Sequence, residues 1–146
     1  MRIINLIVVH CSATREDCTL SPEALDVMHR RRGFNGTGYH YYIRKDGTLY
    51  LTRSLERIGA HAKGFNAHSI GICYEGGLDC RGRPADTRTP EQKASLRLLV
   101  YQLKQRFSGC RVCGHRDLSP DLNGDGEIEP EEWIKACPCF EVNESL

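Results

Sequence analysis

Near its start the chain carries Ile3-Ile4-Asn5-Leu6-Ile7-Val8-Val9, an almost unbroken run of aliphatic, mostly β-branched residues. Such a run predicts a central strand buried on both faces. Ser21-Pro22-Glu23 follows, an N-cap residue with proline at the first helical position; Leu25, Met28 and Arg32 continue at helical spacing until Gly33 ends the pattern. Tyr39 to Arg44 and Thr48 to Thr52 flank Asp46-Gly47, the signature of a β-hairpin. Ser69 to Tyr74 predicts a further apolar strand. Thr89-Pro90-Glu91-Gln92 combines a capping-box spacing with the favoured proline, and Leu96, Leu99, Leu103 and Phe107 then form one stripe that stops at Ser108-Gly109. Arg111 to Gly114 reads as a short strand that delivers His115. Alternating strands and helices over 146 residues predict one α/β domain spanning 1–146, a central mixed sheet flanked by helices, with any site at strand ends in a surface cleft.

Charge narrows the partners. Lys plus Arg number 20 against 19 Asp plus Glu, a formal net charge of +1. No large field draws the chain to nucleic acid or to an anionic membrane, and neither is expected as a partner. The one concentrated basic run, His29-Arg30-Arg31-Arg32, sits at a helix C-terminus, where cations suit the macrodipole, and reads as a solvated helix end. No stretch approaches the ~18 apolar residues of a membrane span. The apolar start lacks a small-residue cleavage site, so the chain is expected to begin at Met1 and to be made in the cytoplasm without a signal peptide. A monomer is expected. The eight cysteines, several inside apolar runs, are expected to be reduced thiols.

Three soft-metal ligands stand where elements end. His10 closes the first strand, His115 follows the strand at 111–114, and Cys137 precedes Pro138. Strand ends in α/β sheets open onto the crevice where ligands bind. Two imidazoles and one thiolate with an open fourth position match a catalytic zinc site. Lys135 stands two residues before Cys137, on the same side if that stretch is extended. By residue type and spacing alone, each of these also fits a structural role, and the surrounding motifs decide between the two.

Those motifs are Val8-Val9-His10-Cys11-Ser12-Ala13-Thr14, Gly38-Tyr39-His40-Tyr41-Tyr42-Ile43, His61-Ala62-Lys63-Gly64-Phe65-Asn66, Ser69-Ile70-Gly71-Ile72-Cys73, Gly114-His115-Arg116-Asp117 and Lys135-Ala136-Cys137-Pro138. In this order the chain resembles the type 2 N-acetylmuramoyl-L-alanine amidases, a group that includes amidase-type phage lysozymes and peptidoglycan-recognition proteins. The resemblance runs from about residue 6 to residue 140. It implies zinc on His10, His115 and Cys137, with Tyr39 and Lys135 as catalytic partners. It also implies a substrate, peptidoglycan or soluble muropeptides, cut at the amide between the lactyl group of N-acetylmuramic acid and L-alanine. Zinc would polarise that carbonyl and acidify a water, while Lys135 and Tyr39 would donate to the developing oxyanion. Tyr39 and the zinc-activated water are both candidates for protonating the leaving amine. His61 and Asn66 match a segment that lines the cleft in the family and are read as substrate-binding or loop-stabilising; His40 and His68 are read as structural.

A second metal signature lies at 121–132. Oxygen donors Asp121, Asn123, Asp125, Glu127 and Glu132 fall at EF-hand loop positions, with Gly126 at the sharp turn. The segment reads as an insertion that binds calcium, although no helix is evident before it; the bland alternative is a solvated acidic loop capping a helix that holds Trp133.

Two rival readings remain. Cys110, Cys113, Cys137 and Cys139 would make a four-thiolate zinc site, a poor spacing match. A non-cleaving peptidoglycan-recognition module is the other. The sequence leaves the setting open among an endolysin, a recycling enzyme and a secreted effector.

Overall fold

The computed structural model describes residues 1–142. In it the apolar run becomes β1 (Leu6–Cys11), with all six residues buried. Burial on both faces follows from its neighbours: β1 pairs in parallel with β5 (Ser69–Tyr74) on one side and β7 (Arg111–Gly114) on the other. Beyond β5 come β3 (Tyr41–Ile43), also parallel, and β4 (Leu49–Leu51), antiparallel at the edge. The sheet order is β4-β3-β5-β1-β7. A small second sheet pairs β2 (Thr14–Arg15) with β6 (Gly77–Leu78). The mixed α/β architecture read from the sequence is therefore the one observed.

One helix covers each face. α2 (Pro90–Arg106) packs Leu96, Leu99, Val100 and Leu103 against Ile7, Val9, Ile70 and Ile72. Its start is the expected capping box: the Thr89 hydroxyl accepts from the Gln92 amide at 3.1 Å, and the Gln92 side chain accepts from the Thr89 amide at 3.0 Å. The remaining Gln92 donor reaches the carbonyls of Ile43 and Glu75, tying the helix cap to the sheet. On the opposite face α1 (Pro22–Arg31) sets Leu25 against Tyr42 and Cys73.

The inward stripe of α1 departs from expectation. Met28 is 45% exposed, whereas His29, read as part of a solvated basic run, is only 4% exposed. The buried pair is Leu25 and His29, one turn apart. His29 is tolerated inside because its Nδ1 accepts from the Gly38 amide at 2.8 Å. Arg30, Arg31 and Arg32 do lie at the surface. Among the described residues no helix is long and apolar enough to cross a membrane.

Candidate metal centre and cleft

The register of the sheet builds the centre. Val9 of β1 faces Gly114 of β7, so His10 and His115 come out side by side at the same height. Their ring centroids are 4.6 Å apart. Cys137 arrives from the far end of the chain and is held by three bonds. The Arg116 amide donates to the Cys137 carbonyl at 2.8 Å, the Tyr74 hydroxyl donates to the Pro138 carbonyl at 2.6 Å, and the Cys11 amide points at the Cys137 Sγ at 3.2 Å.

The donor set fits zinc. Ligand atoms of His10, His115 and Cys137 all lie within 4.8 Å of one another. Two imidazole nitrogens and one thiolate sulfur are the donors that a zinc ion would take, leaving one position open. Burial, reinforced by His61, His115 and Lys135, holds His10 well below the usual imidazole range. Burial and then Lys135 lower His115 as well. Both rings therefore stay neutral at pH 7, with lone pairs free for a metal.

Tyr39 stands beside this group, its ring 5.0 Å from His10 and 5.3 Å from His29. Burial, then the thiols of Cys73, Cys137 and Cys11, push its hydroxyl well above the usual range, so it remains a hydrogen-bond donor. Lys135 is exposed and borders the same cleft as His115 and His61. That cleft has a volume of about 510 Å³. The charged side chains on its wall are Arg32, Lys63, Arg116 and Lys135, and among the described residues no Asp or Glu lines it.

His61 and Asn66 both border the cleft. The Asn66 carboxamide oxygen accepts from the amides of His61 and Ala62, each at 2.9 Å, and so braces the loop. His61 is engaged at both ring nitrogens: Nδ1 lies 2.9 Å from His10 Nε2, and Nε2 lies 3.2 Å from Ser69 Oγ. Neither nitrogen is left for a substrate.

The family described as N-acetylmuramoyl-L-alanine amidase matches residues 1–132 of the chain. The chain belongs to that family. The endolysin of Klebsiella phage KP32 is 35% identical over 136 residues, covering 93% of this chain and 81% of that protein. The endolysin of Escherichia phage T7 is likewise 35% identical over 136 residues, with 93% and 81% covered. Among solved structures, the N-acetylmuramoyl-L-alanine amidase LysC from Clostridium intestinale superposes with a TM-score of 0.75 at 30% identity, over 99% of this chain and 83% of that one. Bumblebee PGRP-SA, at 21% identity and a TM-score of 0.72, shares the fold. In this amidase chain the family match stops at residue 132; beyond it, Cys137 converges in space on His10 and His115, and Lys135 shares a cleft with His115.

The acidic segment brings carboxylate oxygens of Asp121, Asp125 and Glu132 within 4.8 Å of one another, and Glu127 is not part of that group. Asp121 accepts from the amides of Gly124 and Gly126 at 3.0 and 2.7 Å, and Glu132 accepts from those of Leu122 and Asn123. Glu129, hydrogen-bonded to Asp125 and Glu132, is pushed up to about 7. Only 3-10 turns accompany the segment, His115–Leu118 before it and Pro130–Glu132 at its end. The helix expected around Trp133 does not form. Instead Trp133 follows the turn and its ring lies 4.0 Å from the Arg116 guanidinium.

The four-thiolate rival does not assemble. Cys110 Sγ donates to the Ile4 carbonyl, Cys113 packs beside Leu6 and Val8, and Cys139 lies 4.0 Å from Cys11. All eight cysteines are free. His40 is structural as expected: its Nδ1 accepts from the Gly71 amide at 3.0 Å and its Nε2 meets the Arg57 carbonyl at 2.8 Å. Sequence reasoning missed Ser69 and His29. The 69, 71, 73 alternation along β5 was the available signal for Ser69, since it puts that residue on the face of His10.

Proposed function

We propose that the chain hydrolyses the amide between the lactyl group of N-acetylmuramic acid and L-alanine in peptidoglycan stem peptides, with zinc held by His10, His115 and Cys137. The observation that carries this reading is the convergence of those three ligands beside Tyr39, with His115 on the wall of a cleft that Lys135 also borders. Bound there, zinc supplies a Lewis acid and an acidified water at neutral pH. The chain's own side chains do the rest. The Lys135 ammonium and the Tyr39 hydroxyl donate to the carbonyl oxygen as it gains negative charge. Arg32, Lys63 and Arg116 attract the carboxylates of the stem peptide. Phe34, Phe65 and Ile134 add apolar surface along the same wall.

Mass spectrometry of purified peptidoglycan digested by the zinc-loaded protein tests the reaction, with Cys137→Ala alongside. Stem peptides carrying a new L-alanine amine, over intact glycan strands, are expected from the wild type alone. No product on intact sacculi and on soluble muropeptides would turn the reading to a non-cleaving recognition module. As with the endolysins it resembles, we place its action on the cell wall after release, as a monomer without nucleic-acid or membrane partners.

We further propose that 121–132 is an insertion that binds calcium through Asp121, Asp125 and Glu132, with Asn123 and Glu127 completing the shell. The proximity of the three carboxylates supports this, as does their crowding, visible in Glu129. Calorimetric titration with calcium should give one site in the wild type and none in Asp121→Ala with Asp125→Ala. Equal heats from both proteins would leave a solvated acidic loop.

A further inference from the structure

His10 must offer one ring nitrogen to the metal, and the fold uses the other. His10 Nε2 is the atom 2.9 Å from His61 Nδ1, in a buried contact with the rings edge to face at a centroid distance of 4.9 Å. His10 Nδ1 is then the atom left to bind metal. Two neutral imidazoles sharing one hydrogen bond allow two polarities. In one, His10 Nε2–H donates to His61 Nδ1. In the other, His61 Nδ1–H donates to His10 Nε2, which puts the His10 proton on Nδ1 and blocks ligation.

The choice passes to the far side of His61. Its Nε2 lies 3.2 Å from the hydroxyl of Ser69, a residue with no solvent exposure. If His61 Nε2–H donates to Ser69 Oγ, then His61 Nδ1 is an acceptor and His10 carries its proton on Nε2. The ring is held for this task. Ser69, Gly71 and Cys73 share the sheet face of His10, and the His61 ring lies across Gly71, where an added Cβ would sit 2.6 Å from His61 Cγ. A Cβ added at Gly59 would likewise sit 2.6 Å from His61 Cδ2. Neither glycine could carry a side chain with the ring in place, and Asn66 fixes the backbone that carries the ring.

We propose that His61 and Ser69 are positioning residues that set the His10 tautomer and aim its Nδ1 at the metal. This rests on the zinc reading above. It reassigns His61 from substrate contact to support of a ligand, a kind of outer-shell bond whose loss typically weakens metal binding ~10- to 100-fold.

The test measures zinc dissociation constants by competition with a chromophoric chelator for wild type, His61→Leu, His61→Gln and Ser69→Ala, with Cys137→Ala as the reference for a destroyed site. His61→Leu should bind zinc ~10- to 100-fold more weakly. His61→Gln, whose side-chain oxygen can accept from His10, should recover most of the loss, and Ser69→Ala should lose less than His61→Leu. Zinc binding by His61→Leu as tight as wild type, with Cys137→Ala not binding, would overturn the proposal and leave the zinc reading intact. Failure of the wild type to bind zinc would overturn both. Should the variants not fold, nitrogen-15 spectra of the wild-type imidazoles with and without zinc decide the matter. The expected His10 tautomer carries its proton on Nε2, and an Nδ1–H form in the metal-free protein would overturn the assignment.

Discussion

The Tyr74 hydroxyl donates to the Pro138 carbonyl at 2.6 Å, joining the end of β5 to the residue after Cys137. Tyr74 is fully buried, and burial above all keeps its hydroxyl protonated and able to donate. The bond fixes the segment that presents the thiolate. Tyr74→Phe leaves a carbonyl without that partner in the interior, at a cost of ~1–3 kcal/mol. Urea unfolding should show the loss, and zinc binding should weaken with it.

Removing zinc should expose the link between metal and fold. A ligand that binds only the native state at 100 times its dissociation constant adds ~2.7 kcal/mol, which for a chain of this size moves Tm by roughly 5–10 °C. Scanning calorimetry should show this rise on adding zinc to chelator-treated wild type. In Cys137→Ala the two traces should nearly coincide.

Tyr39→Phe and Lys135→Met each remove one donor to the oxyanion. Turnover should fall ~100- to 1,000-fold in each, because such a donor acts mainly in the transition state. KM on soluble muropeptides should move little, and zinc stoichiometry should stay at that of the wild type.

Arg32 tests the charge of the cleft wall. It stands just beyond α1 on a wall that carries no carboxylate among the described residues. Charge reversal in Arg32→Glu replaces an attraction with a repulsion, each on the order of ~0.5–1 kcal/mol at an exposed site. KM should rise several-fold at low salt with kcat little changed, and the difference should shrink as added salt screens it.

His40 gives the fold a pH dependence. Burial, with Arg2 and Arg53 nearby, brings its pKa down to about 4 despite the hydrogen bond to Arg57. An unfolded chain would bind that proton near pH 6.5. Between these values the unfolded state holds more protons than the native one, so stability is full above about 6.5 and falls as pH drops toward about 4. One such group contributes a slope of up to ~1.4 kcal/mol per pH unit. Urea midpoints for wild type against His40→Asn, taken from pH 7 to pH 4, should show the slope in the former reduced in the latter.

Local signals carried most of the framework. The β-branched run at 6–11, the proline-led helix starts and the Thr89–Gln92 box each specify their element by short-range physics, and each appears where expected. The candidate ligands drew attention for a related reason, since they sit at the ends of those elements, and the motifs around them set them apart from structural residues. What was illegible depends on register. His29 looks polar in any pattern count, and only the Gly38 amide above it explains its burial. His61 looks like a cleft residue until β1 and β5 are aligned, which places Gly71 beneath its ring and His10 and Ser69 at either edge. The acidic segment followed a loop spacing faithfully, yet Pro120 and Pro130 bound it with turns too short to be the paired helices of a full hand.

His10 and Cys137 are separated by nearly the whole chain, and the strand pairs that bring them together, β1 with β5 and β1 with β7, are all distant in sequence. Contacts of that kind form late, because loop-closure entropy is spent before they repay it. On the zinc reading proposed above, the donor set is complete only once those distant contacts have formed. Loss of the C-terminal segment would remove the thiolate and leave two imidazoles, so metal binding would report the integrity of the whole tertiary structure.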